Sequence, residues 1–224
     1  LPEGTRTDHF FYQDEGRRGQ EYRTETYNRS SVLFERRETG YRTFLNSSSF
    51  YEMFADNVSL LTYDGIVTNP RAVNYTYAYD GYGNVISVNY SGGTKREQYE
   101  YWINTSSWIV DKVKRFQLVD DGLAVQEAVY SYDGGLFQPP QDKGKLTRID
   151  RLLTYGTGVH TTTYTYDSYG NRISETDALG RVTRYYYGLR DETRTFRDRE
   201  TNALGHMTDY EYDLGTGNLL WRER

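Results

Sequence analysis

The chain has 224 residues, with 24 tyrosines, 21 glycines, 2 methionines and no cysteine, and a formal net charge of −5. The absence of cysteine excludes disulfides and cysteine-ligated zinc without fixing a compartment. No basic stretch is present to neutralise phosphates, so nucleic-acid binding is not expected, and no run reaches the roughly 18 apolar residues of a transmembrane segment.

Apolar and aromatic residues make up 36% of the sequence, tyrosine included, which predicts a core more aromatic and amphipathic than aliphatic. Tyrosine suits that use because its ring packs while its hydroxyl finds a partner. Tyrosine and threonine also fit the pleated surface of a strand.

Residues 1–19 are charged and glycine-containing and read as an irregular lead-in. From 20 to 224 the chain reads as one strip of short strands, clearest over 72–133 and 147–224. The best helix candidate is short, near 49–54 (SFYEMF), and fits a loop equally well. Residues 73–79 (VNYTYAY) and 161–166 (TTTYTY) alternate at period two, the signature of a strand. A polar loop is expected at 137–144 (FQPPQDKG), since consecutive prolines break sheet pairing.

The connections share one design. Asp80-Gly81-Tyr82-Gly83, Asp167-Ser168-Tyr169-Gly170, Asp177-Ala178-Leu179-Gly180 and Asn202-Ala203-Leu204-Gly205 all read D/N-x-x-G. The first residue caps the backbone two positions on, and the glycine takes positive φ, as in a type I turn closed by a G1 bulge. Ser91-Gly92-Gly93 and Asp120-Asp121-Gly122 are related turns, and Asp213 to Asn218 is the same turn lengthened by one residue. Turn starts ten residues apart (Asp167, Asp177) or eleven apart (Asn202, Asp213) indicate an antiparallel meander.

The most specific repeat is Y-x-Y-D-x-x-G-N. It occurs at Tyr77, Tyr79, Asp80, Gly83, Asn84 and again at Tyr164, Tyr166, Asp167, Gly170, Asn171. Tyr210, Tyr212, Asp213, Gly217 and Asn218 form a copy with the longer turn, and Tyr130-Ser131-Tyr132-Asp133-Gly134 is a partial one. Tyrosines at i and i+2 share one face of a strand, so stacked hairpins are expected to build a tyrosine ladder across the sheet.

With these copies, and with YTYDSYGNRISETDALGRVTRYYY at 164–187 and KGKLTRID at 143–150, the sequence resembles the RHS or YD-repeat family. The resemblance implies an all-β fold in which an antiparallel meander of YD-repeat hairpins forms part of a spiralling β-sheet shell. In bacterial polymorphic toxins and insecticidal toxin complexes such a shell encloses a toxic cargo domain. In the animal teneurins a similar shell supports adhesion. The family's D-P-x-G-L-like core stretch and self-cleavage site are not present, so no catalytic residue carries over.

The start at Leu1-Pro2-Glu3-Gly4 and the strand-like end at Trp221-Arg222-Glu223-Arg224 suggest an internal fragment of a longer protein. The function expected is that of a structural shell segment, not an enzyme, in a secreted or cell-surface protein. Its partners are then the remaining repeats and cargo domain of the same polypeptide. The alternative is an adhesion or carbohydrate-binding module that engages a glycan or cell-surface receptor through Trp102, Trp108, Trp221 and nearby tyrosines.

No cofactor and no metal are expected. Asp167 with Asp177, or Asp120 with Asp121, offers calcium too few oxygens, and turn capping already explains these carboxylates. His9, His160 and His206 have no ligand neighbour at metal spacing. Glu25 with Glu35 is a weak glycosidase signal in a chain with 32 acids.

Overall fold

The computed structural model describes residues 4–45, 51–63, 68–152, 158–190 and 192–223. The protein is all-β, and among the described residues there is no helix. The strands are β1 (Arg6–Phe11), β2 (Glu21–Tyr27), β3 (Leu33–Leu45), β4 (Tyr51–Thr62), β5 (Arg71–Tyr79), β6 (Val85–Tyr90), β7 (Arg96–Asn104) and β8 (Ile109–Asp120). They continue as β9 (Leu123–Tyr132), β10 (Leu146–Leu152), β11 (Val159–Tyr166), β12 (Arg172–Thr176), β13 (Val182–Tyr187), β14 (Arg197–Thr201), β15 (Met207–Tyr212) and β16 (Leu219–Glu223). Hydrogen-bonded neighbours follow chain order from β1 to β16, the topology of a meander.

Contacts divide the chain into two units, Leu1–Tyr99 with Gln117–Val125, and Glu100–Phe116 with Gln126–Arg224. In the first unit β3 and β4 form the longest antiparallel pair, from Glu35↔Thr62 to Leu45↔Tyr51. The short helix candidate at 49–54 falls partly here. Ser49 and Phe50 lie outside the described residues, and residues 51–54 belong to β4. A strand wins because β3 supplies a register partner for each of these residues, which outweighs local helix preference. The lead-in is also more ordered than its composition suggests. Arg6–Phe11 forms β1 and pairs with β2 from Arg6↔Tyr27 to Phe11↔Glu21.

In the second unit β9 through β16 pair antiparallel in sequence. The turns after Asp167 and Asp213 join odd to even strands, whereas those after Asp177 and Asn202 join even to odd strands. The two turn types therefore occupy opposite edges of this part of the meander.

The buried core is thin and mixed. Tyr132, Tyr185 and Tyr210 are buried, but so are Val58, Val88, Val119 and Ile149. Among the described residues the buried apolar side chains include more aliphatic residues than tyrosines, against the compositional expectation.

Candidate functional site

Each turn is organised by the side-chain oxygen of the Asp or Asn that opens it. Asp80 Oδ1 accepts the N–H groups of Tyr82 and Asn84, both at 2.9 Å, and Oδ2 accepts Asn84 Nδ2 at 2.9 Å. Asp167 repeats the set with Tyr169 N at 3.0 Å, Asn171 N at 2.8 Å and Asn171 Nδ2 at 3.2 Å. Asp177 accepts Leu179 N and Arg181 N, with Arg181 Nε at 2.6 Å in the role of asparagine. Asn202 does the same with Leu204 N and His206 N, both at 3.0 Å. In the longer turn Asp213 accepts Thr216 N at 2.7 Å and Thr216 Oγ1 at 2.8 Å.

The backbone closes as a type I turn with a bulge. Gly83 N donates to Asp80 O at 3.2 Å, Asp80 N donates to Asn84 O at 2.9 Å, and the strand register shifts between Ala78 and Tyr79. Gly83 has φ +85°, and a Cβ there would lie 2.9 Å from Phe54 Cε1. Glycine is therefore required twice over, by conformation and by contact. Burial raises the Asp80 carboxyl, but the bonds from Asn84 and Tyr82 outweigh it and hold it below the ordinary aspartate value. Asp167 is lowered in the same way, against burial, by the bonds from Asn171 and Tyr169.

The second tyrosine of the repeat has a specific partner. Tyr79 donates its hydroxyl to Ala55 O at 2.7 Å, and Tyr166 donates to Leu146 O at 2.7 Å. Tyr132 to Val113 O at 2.9 Å and Tyr41 to Glu21 O at 3.1 Å repeat the bond. Each ties one strand to a carbonyl of the preceding strand, from the last residue of β5, β9 and β11 and from within β3 at Tyr41. A third side chain covers the pair of tyrosine and turn glycine. Phe54 packs on Tyr79 at 4.9 Å and Phe196 on Tyr212 at 5.0 Å, while Lys145 takes that place over Tyr166 at 5.5 Å.

The ladder across the sheet differs from the one expected. Tyr75 and Tyr90 do meet across neighbouring strands at 5.2 Å. In the second unit, however, Tyr164, Tyr185 and Tyr210 lie on alternate strands, roughly 9.5 Å apart by strand spacing, too far for ring contact. Arginines fill the intervals. Arg172 lies 5.3 Å from the Tyr164 ring and 4.9 Å from Tyr185, and Arg197 lies 5.3 Å from Tyr185 and 4.7 Å from Tyr210. Glutamates anchor them, Arg172 to Glu175 at 3.2 Å and Arg197 to Glu200 at 3.0 Å. The face thus alternates tyrosine with an arginine–glutamate pair. The repeated R-x-x-E-T at 172–176 and 197–201 is its sequence trace, a signal that reading for tyrosine alone passes over.

The chemically active candidates do not converge. Glu25 is buried and held by Arg36 at 2.8 Å, Arg23 at 3.5 Å and Tyr27 Oη at 2.6 Å. Its cross-strand partner is Arg36, and Glu35, one residue earlier, points to the opposite face. Asp167 and Asp177 sit on turns at opposite edges, so they share no cation. Asp120 and Asp121 both meet Thr94 Oγ1, at 2.8 and 2.7 Å. His9 pairs with Glu21 at 2.9 Å, His206 lies beside Asn202, and His160 is exposed. Among the described residues no three His, Cys, Asp or Glu side chains are placed to hold a metal ion. Among the described residues no helix is long and apolar enough to cross a membrane. The tryptophans do not form one platform: Trp102 lies under Lys114 at 5.2 Å, Trp221 under Arg190 at 5.2 Å, and Trp108 is 72% exposed on a turn.

No family model matches the chain, and no curated protein matches it. Solved structures to which the chain shows a likeness include a porin-like protein from Bacteroides uniformis. It is 15% identical with a TM-score of 0.41, over 98% of this chain and 93% of that one. A Tc holotoxin pore of Photorhabdus luminescens is 12% identical with a TM-score of 0.27, over 89% of this chain. A TcdB2–TccC3 complex is 12% identical with a TM-score of 0.30, also over 89% of this chain. The chain spans 14% of the length of each of these two toxin chains. Likeness at this level assigns neither family nor function.

Proposed function

We propose that the chain is a structural segment of a YD-repeat β-sheet shell, without catalytic activity, in a secreted or cell-surface protein. In this role it contributes wall to an enclosure around a cargo or toxin domain of the same polypeptide. The observation that supports the reading is the repeated unit itself. Y-x-Y-D-x-x-G-N recurs with the same turn bonds at Asp80 and Asp167, in strands that pair in chain order. Turn acids, tyrosine hydroxyls and arginines are occupied in holding strands together, which is the work of a wall.

The test is electron microscopy of the parent polypeptide, together with protease treatment of its cargo region before and after denaturation. A hollow particle with cargo protected only while folded is the expected result. A particle without a cavity, or cargo cut at the same rate in both states, overturns the proposal. The adhesion reading is favoured by one observation, the 72% exposed Trp108 held at φ +51° on the β7–β8 turn. A glycan array that binds the wild-type chain but not Trp108→Ala is its test.

A further inference from the structure

Six of the eleven asparagines, at positions 28, 46, 57, 74, 89 and 104, are followed two residues later by serine or threonine with no proline between. With 38 serines and threonines among 224 residues, about two such placements are expected by chance. N-x-S/T is the acceptor sequence for N-linked oligosaccharide, and what each amide does in the fold separates the six.

Three of the side chains are engaged. Asn28 Oδ1 accepts Ser30 N at 2.9 Å and Val32 N at 3.0 Å. Asn104 Nδ2 donates to Pro140 O at 2.7 Å, and its Oδ1 accepts Ser107 N at 3.1 Å. Asn57 folds over Gly40, where an added Cβ would lie 2.6 Å from Asn57 Nδ2. Asn46 lies outside the described residues.

Asn74 and Asn89 differ. Both are exposed, and neither side-chain amide makes a hydrogen bond among the described residues. β5 and β6 pair with Thr76 opposite Asn89, and Ser91 donates its N–H to Asn74 O at 2.8 Å. Residues opposite each other share a face, as do residues two apart on a strand. Asn74, Thr76, Asn89 and Ser91 therefore form one uncharged patch, with the asparagines on its diagonal, about 7–8 Å apart. On the other face Val88 is buried and Tyr75 meets Tyr90 at 5.2 Å, so a group carried by either asparagine leaves the packed side untouched.

We propose that Asn74 and Asn89 are a pair of N-glycosylation sites. The donor is an oligosaccharide carried on a membrane lipid pyrophosphate, and an oligosaccharyltransferase moves it. Asparagine Nδ2 bonds to the anomeric carbon, the bond from that carbon to the pyrophosphate oxygen breaks, Nδ2 gives up one proton, and the lipid pyrophosphate departs. The inference rests on the secreted or cell-surface reading above, because the transfer takes place on the far side of a membrane. Oligosaccharides wider than the strand spacing of about 4.8 Å need open solvent, so this face of the wall is then the outer one.

Peptide mass spectrometry of the parent polypeptide from its own cells tests this. Peptide-N-glycosidase in heavy-oxygen water converts each glycosylated asparagine to labelled aspartate, and a sample without enzyme corrects for spontaneous deamidation. Label is expected at both Asn74 and Asn89. In a second arm the 224-residue chain, with a cleavable leader, passes through the secretory route of cultured animal cells. There Thr76→Ala should abolish label at Asn74 alone and Ser91→Ala at Asn89 alone, while Thr76→Ser keeps both. The whole lumenal pool is read, so a variant that folds poorly is still scored. Native protein without label at either position overturns the proposal. The leader-bearing chain then shows which premise failed: label at both positions puts the fault in the secreted reading, and label at neither puts it in the two asparagines. Thr76→Ala that keeps label at Asn74, or that loses it at both positions, also overturns the proposal.

Discussion

Replacing Asp167 separates the two things its carboxylate supplies, acceptor geometry and charge. Asp167→Ala removes the acceptor for Tyr169 N, Asn171 N and Asn171 Nδ2. The turn is solvent-accessible, so the released donors rehydrate and each bond counts at the low end of its range. The sum is about 1–2 kcal/mol. Asp167→Asn keeps an Oδ1 for both backbone bonds and loses only charge assistance and the bond to Asn171 Nδ2. Its cost should be about 0.5 kcal/mol. Nature supplies the control in the same unit, where Asn202 holds Leu204 N and His206 N at 3.0 Å without a charge. Urea unfolding at pH 7, followed by tyrosine and tryptophan fluorescence, reads both variants against wild type. Hydrogen exchange at Tyr169 and Asn171 locates the effect. Equal losses for asparagine and alanine would refute the geometric account, and so would an alanine variant as stable as wild type.

Tyr166→Phe deletes the 2.7 Å bond to Leu146 O and should cost about 1 kcal/mol in urea unfolding, with faster exchange at the β10–β11 edge. Gly170→Ala forces a side chain to φ +95° and should cost about 1–2 kcal/mol, again read by urea midpoint. Arg197→Met keeps the aliphatic packing but removes the charge between Tyr185 and Tyr210 and the pair with Glu200, for a loss of about 1 kcal/mol that shrinks in high salt. Asp80, Asp133 and Asp167 are all held below the ordinary aspartate value in the folded state. Their contribution is complete above the unfolded value near 3.9 and is lost as pH falls through the lower folded values. The urea midpoint should therefore change little from pH 5 to 7 on their account and decline below about pH 4.

Much of the fold is legible in the sequence because its signals are local. Asp80 to Asn84 and Asp167 to Asn171 contain the acceptor, the donors and the positive-φ glycine of their turn within five residues, and the alternating strands lie directly beside them. What escaped is set by register between strands. Arg172 reaches Tyr185 only because β12 pairs with β13 as it does, and Glu25 parts from Glu35 only because Arg36 takes the cross-strand position. Residues 6–11 and 51–54 misled for the same reason, since their partner strands, not their own preferences, make them extended. The candidate site was legible in its turn residues and opaque in its arginines.

Pairing every strand with its sequence neighbour also shapes how such a chain acquires its structure. Loop closure involves only short spans, so each hairpin can form as soon as its second strand is available. The last strand formed then serves as the template for the next. Folding can advance along the polypeptide in the order of synthesis or passage through a channel, without waiting for a distant segment. The tyrosine bonds to carbonyls on the preceding strand, from Tyr41, Tyr79, Tyr132 and Tyr166, act in the same direction as ratchet teeth, fastening β3, β5, β9 and β11 to the strand already laid down.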